Sequence, residues 1–145
     1  MFRVTQPESP AHFASIFELR YRILRKPWNQ PKGSERDDAE ATSIHAMILD
    51  ENGVCIATGR LQFNSNETGQ IRFMAVDPEH RGKHLGKKIL QFLEEESRKN
   101  FRANIFLQAR ENAVEFYRSN GYTVEEKTFL LFDQIQHYRM VKWLK

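Results

Sequence analysis

The sequence predicts an α+β fold: a mixed, mostly antiparallel sheet carrying helices, with at least one parallel crossover. Three observations carry this. β-rich runs separated by turn signals fill residues 44–76, a strand–helix–strand–helix alternation follows to Gly121, and two further β-rich runs close the chain. Hairpins make antiparallel pairs, whereas strands bridged by a helix lie parallel, with a right-handed crossover. About six or seven strands and three or four helices are expected, with at least one parallel pair.

The elements follow in order. Pro10 follows Ser9, a capping residue, and Phe13, Ile16, Phe17, Ile23 and Leu24 keep helical spacing, which predicts an amphipathic helix over 10–25. Residues 26–43 (KPWNQPKGSERDDAEATS) hold two prolines, a glycine and a cluster of charges, the composition of a long surface loop. SIHAMILD and VCIATGRLQF flank Glu51-Asn52-Gly53, a strong hairpin signal, and a second turn between Asn64 and Gly69 leads to the strand QIRFMAV. From Leu85 the period changes: Leu85, Ile89, Phe92 and Leu93 form one apolar stripe on a helix reaching about Arg98. NIFLQ is a short apolar strand, Glu111 to Asn120 a helix stopped by Gly121, and TVEEKTFLLF with IQHYRMVKWL a closing strand pair.

At 145 residues the chain fits one domain, residues 1–145, able to bury a core without staples. Lysine and arginine total 22 against 19 acids, a net charge of +3, too small to argue for a nucleic-acid partner. The single cysteine cannot pair internally, and no Cys/His set has zinc-ligand spacing, so no metal is expected. The stretch MFRVTQPESP joins no basic segment to an apolar run, and no span approaches membrane length. A cytoplasmic protein without a membrane partner is the simplest expectation.

The segment MAVDPEHRGKHLGK concentrates the chemistry. A strand-to-helix connection needs one capping residue and one glycine; this one supplies Gly82 and Gly86 with Arg81, Lys83 and Lys87 around them. A helix start offers unpaired N–H groups and the positive end of the macrodipole, and glycine lets the backbone approach a ligand closely. The arrangement favours a pyrophosphate. A nucleoside-triphosphate loop would need Ser or Thr after the lysine, and none follows Lys83 or Lys87.

VDPEHRGKHLGKKIL resembles the coenzyme A-binding segment of the GNAT superfamily of N-acetyltransferases, whose motif reads Arg/Gln-x-x-Gly-x-Gly/Ala. Arg81, Leu85 and Gly86 match it, and His84 replaces the first motif glycine. ARENAVEFYRSNGY resembles the later segment of the same family through Asn112, Ala113, Tyr117, Gly121 and Tyr122. LRYRILRKPW and IQHYRM are similar to the ElaA-type group of small bacterial members. The resemblance covers roughly residues 40–125.

The resemblance implies a GNAT-like sheet whose central parallel strands splay at the cofactor, and an acetyl-CoA-dependent transfer of acetyl to a primary amine by direct attack on the thioester. It implies a coenzyme site made by Met74, Ala75 and Val76 on the strand, by Arg81, Gly82, Lys83, His84, Leu85, Gly86 and Lys87 in the loop, and by Asn112 and Tyr117. An oxyanion donor near Val76 and Tyr117 as general acid toward the sulfur follow from it. The base is left open among His137, His45, Asp37, Asp38 and Glu40, with His137 favoured because the closing strands border the acceptor cleft. Arg20 and Arg25 decorate the first helix or face the substrate; Trp28 walls that site or packs on the sheet. The acceptor is a small-molecule or peptide amine, and small members of the family often form homodimers. The competing reading is a coenzyme A-binding sensor or interaction module without turnover.

Overall fold

In the computed structural model, residues 2–144 are described. A seven-stranded sheet has the order β1-β2-β3-β4-β5-β7-β6, with β1 Val4–Thr5, β2 Ile44–Leu49, β3 Cys55–Phe63, β4 Thr68–Val76, β5 Asn104–Arg110, β6 Thr123–Leu131 and β7 Ile135–Trp143. Every neighbouring pair is antiparallel except β4 with β5, which run parallel. Three α-helices pack on the sheet: α1 Pro10–Arg20, α2 Leu85–Lys99 and α3 Val114–Ser119. The expected mixed sheet and its central parallel pair are therefore present. No helix among the described residues is long and apolar enough to cross a membrane.

Strand alternation divides the core between the faces. Ala46 and Ile48 join Ile89, Leu90 and Leu93 of α2, with Tyr117 and Tyr122, on one side. The intervening Met47 joins Ile16 and Leu19 of α1 on the other, with Cys55 and Ala75. Tyr122 is structural: its hydroxyl donates to the buried Glu94 carboxylate at 2.8 Å, which also receives Lys142 Nζ at 3.1 Å. That contact fastens α2 to β7. Cys55 is buried, and desolvation pushes its thiol up to about 12, which leaves it protonated and unreactive.

The structure corrects three boundaries. The first helix is not regular to residue 25: after Arg20 it widens into a π turn over Tyr21–Arg25 and then tightens into a 3₁₀ turn over Lys26–Trp28. Residues Glu111–Ala113, expected as helix, form a 3₁₀ turn that precedes α3. The loop over 26–43 is not merely a surface crossing, because Glu35 is buried and Glu40 sits in an ion-pair cluster with arginines from α1 and β3.

One irregularity shapes the centre of the sheet. Between Thr58 and Arg60 the β3/β4 register shifts, so Gly59 faces both Phe73 and Met74, and Phe73 takes the left-handed conformation at φ 56°. Gly59 has no room for a side chain: a Cβ there would lie 2.6 Å from Met74 Sδ and 2.8 Å from Ile89 Cγ2. Ile89 is fully buried and cannot yield. Gly59→Ala should therefore destabilise the protein by about 1–3 kcal/mol, read as a lower urea midpoint at unchanged m-value. An unchanged midpoint would mean that the bulge is not held this tightly.

Candidate active site

The parallel pairing of β4 and β5 is short. Thr68 to Ile71 pair with Asn104 to Leu107, and beyond that no ladder joins the two strands. The bulge at Phe73–Met74 bends β4 away just where pairing ends, so the remainder of β4 presents backbone N–H and C=O groups into a cleft. Two cavities open from this cleft.

The first, about 840 Å³, runs from the cleft to the start of α2. Asp77 accepts from Glu79 N at 3.0 Å and caps a 3₁₀ turn over Pro78–His80, which delivers the chain to Arg81 in an extended conformation. Gly82 at φ 83° and His84 at φ 60°, ψ 27° then turn the backbone into α2. Histidine thus takes the left-handed conformation that glycine would take more easily, a cost of order 1–2 kcal/mol. His84 caps the helix with no side-chain hydrogen bond, so the first-turn amides of α2 are left open. Those amides, with Arg81 and Lys87 beside them, make a cradle for anionic oxygens. Gly86 is needed for packing as well as for access: a Cβ there would meet Phe116 Cζ at 3.1 Å and Val76 Cγ2 at 3.7 Å.

Met74, Ala75, Val76, Arg81, Gly82, His84, Leu85, Gly86, Lys87, Asn112 and Tyr117 all line this cavity. Lys83 is absent from its wall; its ammonium lies over the Phe2 ring at 5.4 Å. Trp28 lines the cavity too, and the Arg110 guanidinium sits 4.6 Å over its ring.

The second cavity, about 330 Å³, lies on the far side of the cleft against β6 and β7. Leu24, Met74, Arg110, Ala113 and Tyr117 belong to both cavities, so they mark the junction. Tyr117 is nine-tenths buried against Phe116 and Tyr122, and its hydroxyl has no hydrogen-bond partner among the described residues. Burial raises the phenol above its ordinary range and keeps the proton on oxygen. His137 lines the second cavity, stacked on Phe129 at 4.5 Å, with Nδ1 at 3.0 Å from Ile135 O. That contact fits an Nδ1–H donor and leaves Nε2 as acceptor. Desolvation first, then Arg110 and Arg25, lower its pKa, opposed by the bond to Ile135, so the ring is neutral at pH 7.

Three of the other base candidates have structural partners. His45 is buried at a distance from the cavities, with Nε2 2.8 Å from Glu40 O and Nδ1 3.4 Å from Arg20 Nη2. Glu40 accepts from Arg20 at 2.9 Å and lies 2.9 Å from Arg60. Desolvation opposes its ionisation, but the two arginines prevail and hold it below the usual carboxylate range. Asp37 receives both Arg60 guanidinium nitrogens, at 2.7 and 3.1 Å, and is held down at about 2. Asp38 is exposed and lines neither cavity. Arg20, expected either to decorate the first helix or to face the substrate, does neither: it is fully buried and lines neither cavity. Sequence reading missed Arg110 and Arg72, and the only local signal for them was the residue types themselves.

The acetyltransferase (GNAT) family model matches residues 13–122 of the chain. The uncharacterized N-acetyltransferase YjcF of Bacillus subtilis is 28% identical over 126 residues, which cover 87% of this chain and 89% of that one. The crystal structure of Escherichia coli ElaA superposes with a TM-score of 0.80 at 19% identity, covering 98% of this chain and 99% of the other. An aminoglycoside 6'-N-acetyltransferase complexed with coenzyme A superposes with a TM-score of 0.80 at 14% identity over 97% and 96% of the two chains.

Proposed function

The chain belongs to the GNAT acetyltransferase family, and from that premise we propose that it is a single catalytic domain that transfers acetyl from acetyl-CoA to a primary amine by direct attack. The observation that carries this reading is the meeting of two cavities at the β4/β5 splay, with Tyr117 at their junction.

The residues present fit the cofactor. The open amides of α2, with Arg81 and Lys87, would hold the pyrophosphate, and Asn112 would hydrogen-bond the pantetheine amides. When bound, acetyl-CoA supplies a thioester carbonyl that the amine attacks, forming the N–C bond and releasing the thiol as the C–S bond breaks. The β4 backbone at Met74–Val76, on the edge that β5 leaves unpaired, would donate an N–H to the developing oxyanion, a role worth about 2.7–4 kcal/mol per donor where measured. Tyr117 would give its hydrogen bond to the departing sulfur, and His137, through Nε2, would take the amine proton directly or through water.

His137→Ala checks the base. A lowered pKa means that His137 becomes competent as pH rises through a value below its ordinary 6.5 and stays so above it. The wild-type rate should carry an acid limb in that range which the variant lacks. Identical profiles would remove His137 from the mechanism.

The overall reading is tested by thiol release from acetyl-CoA with a mixed panel of primary amines, alongside calorimetry of acetyl-CoA binding. Amine-dependent thiol release supports the enzyme. Binding without release across the panel would instead favour a sensor that holds the coenzyme without consuming it.

A further inference from the structure

Resting on the acetyl-transfer reading above, we propose that the acceptor amine carries an anionic oxygen group, carboxylate or phosphate, and that Arg25, Arg72 and Arg110 hold it in the second cavity. The wall of that cavity contains three arginines and His137 and no aspartate or glutamate. A site shaped for a diamine or a lysine-rich segment would offer the reverse.

The charges around the cavity divide into two groups. Arg20 and Arg60 are neutralised by Glu40 and Asp37. Glu35 accepts from Gly33 N at 2.7 Å and lies 3.8 Å from Arg36; it favours the Arg25 charge from a distance without forming an ion pair with it. Arg25 and Arg110 have no carboxylate within ion-pair distance among the described residues. Arg25 donates from Nη1 to Leu24 O and from Nε to Ser34 O, each at 3.0 Å. Arg110 donates from Nη2 to the same Leu24 carbonyl, also at 3.0 Å. One carbonyl oxygen therefore gathers two guanidiniums from opposite sides of the cleft. Arg72 shares Asp37 with Arg60 and leaves its side chain 40% exposed beside them.

Like charges gathered in a half-buried site repel, and burial with the neighbouring Arg25 lowers Arg110 to about 10, which still leaves Arg110 charged at neutral pH. Such an arrangement is stabilised by an anion that brings its own negative charge. The guanidinium fork matches carboxylate and phosphate oxygens in pairs, which adds orientation to attraction. With the anionic end at Arg25 and Arg72, the amine end reaches toward Tyr117 and Met74 at the junction. Glu35, Asp37 and Glu40 of the acidic loop, which could have drawn a cationic acceptor, are instead paired with arginines.

The test uses four acceptors of matched length: a linear ω-amino acid, the aminoalkyl phosphate, the aminoalcohol and the diamine. With the full-length protein at saturating acetyl-CoA, the anionic acceptors should exceed the aminoalcohol in kcat/KM by about 10-fold or more, and the diamine should be poorest. The ratio of amino acid to aminoalkyl phosphate identifies which anion is read. Arg25→Gln should bring the ratio of anionic-acceptor to aminoalcohol kcat/KM down toward one, and Arg25→Lys should restore part of it. Calorimetry of the same four compounds, with and without coenzyme A, gives the preference independently of turnover. Equal or tighter binding of the diamine, no heat from either anionic compound, or an undiminished anion preference in Arg25→Gln would overturn the inference. Loss of acetyl-CoA binding would instead remove the reaction reading, and the anion isotherm would still decide this one.

Discussion

Glu40→Ala is expected to lower the unfolding free energy by roughly 3–5 kcal/mol, the usual result of removing one partner from a buried ionic cluster. Arg20 and Arg60 are both fully buried, and one Glu40 oxygen serves both at 2.9 Å. Neither guanidinium has a surplus of partners: both Nε atoms already lack one. Without Glu40, Asp37 is the one carboxylate left to Arg60, beside the neutral Gln62 Oε1, and Arg20 keeps only a long bond to Glu35 O at 3.3 Å and one to His45 at 3.4 Å. The measurement is urea or thermal unfolding; a loss under about 1 kcal/mol would place the pair among contacts that solvent replaces.

The same cluster fixes a pH dependence. Asp37 has a depressed pKa, so the unfolded chain binds its proton first as pH falls. Its contribution is fully present above its ordinary 3.8 and is lost as pH drops toward about 2. Glu40 is depressed too and acts with the same sign. Wild-type stability should therefore decline through this acid range, and Glu40→Ala should decline less steeply from its lower start.

Tyr117→Phe is expected to reduce kcat by about 10²-fold, the low end of general-acid contributions. Two facts set the size. The phenol is pushed above its ordinary range, whereas a thiol leaves with a pKa near ~8.5, so complete proton transfer runs uphill and the hydroxyl acts mainly as a hydrogen-bond donor to sulfur. The hydroxyl has no partner among the described residues, so phenylalanine keeps the packing against Phe116 and Tyr122. Acetyl-CoA affinity and thermal stability should hardly move. A variant with full kcat would take Tyr117 out of the reaction, and one with unchanged kcat but weakened cofactor binding would make it a wall of the pocket.

Much of the fold could be read from spacing because its elements are regular. The hairpin turned at Asn52-Gly53, where Gly53 has φ 79°, and the stripe of Leu85, Ile89 and Leu93 is buried against the sheet. What escaped lacks a period. β1 is two residues long, too short to alternate, and the π turn at Tyr21–Arg25 breaks the helical count that placed Ile23 and Leu24 on a regular stripe. The Arg20–Glu40 and Arg60–Asp37 pairs span 20 and 23 residues, a separation that no local pattern records. Phe73 in a left-handed bulge runs against its own preference. It is held there among the guanidiniums of Arg20, Arg60 and Arg72 at 4.5 to 4.9 Å from its ring. The loop around Gly82 and Gly86 was legible because excess glycine and base have little structural use. The arginine-lined second cavity was not, since its arginines lie on a turn and two strands that meet only after folding.

The π turn has an evolutionary reading. A five-residue turn carries one residue more than α-helical winding requires, and each residue added or removed rotates everything after it by roughly 100°. Loss of a single codon between Tyr21 and Arg25 would leave α1 and the sheet in place yet bring a different side chain to the second cavity.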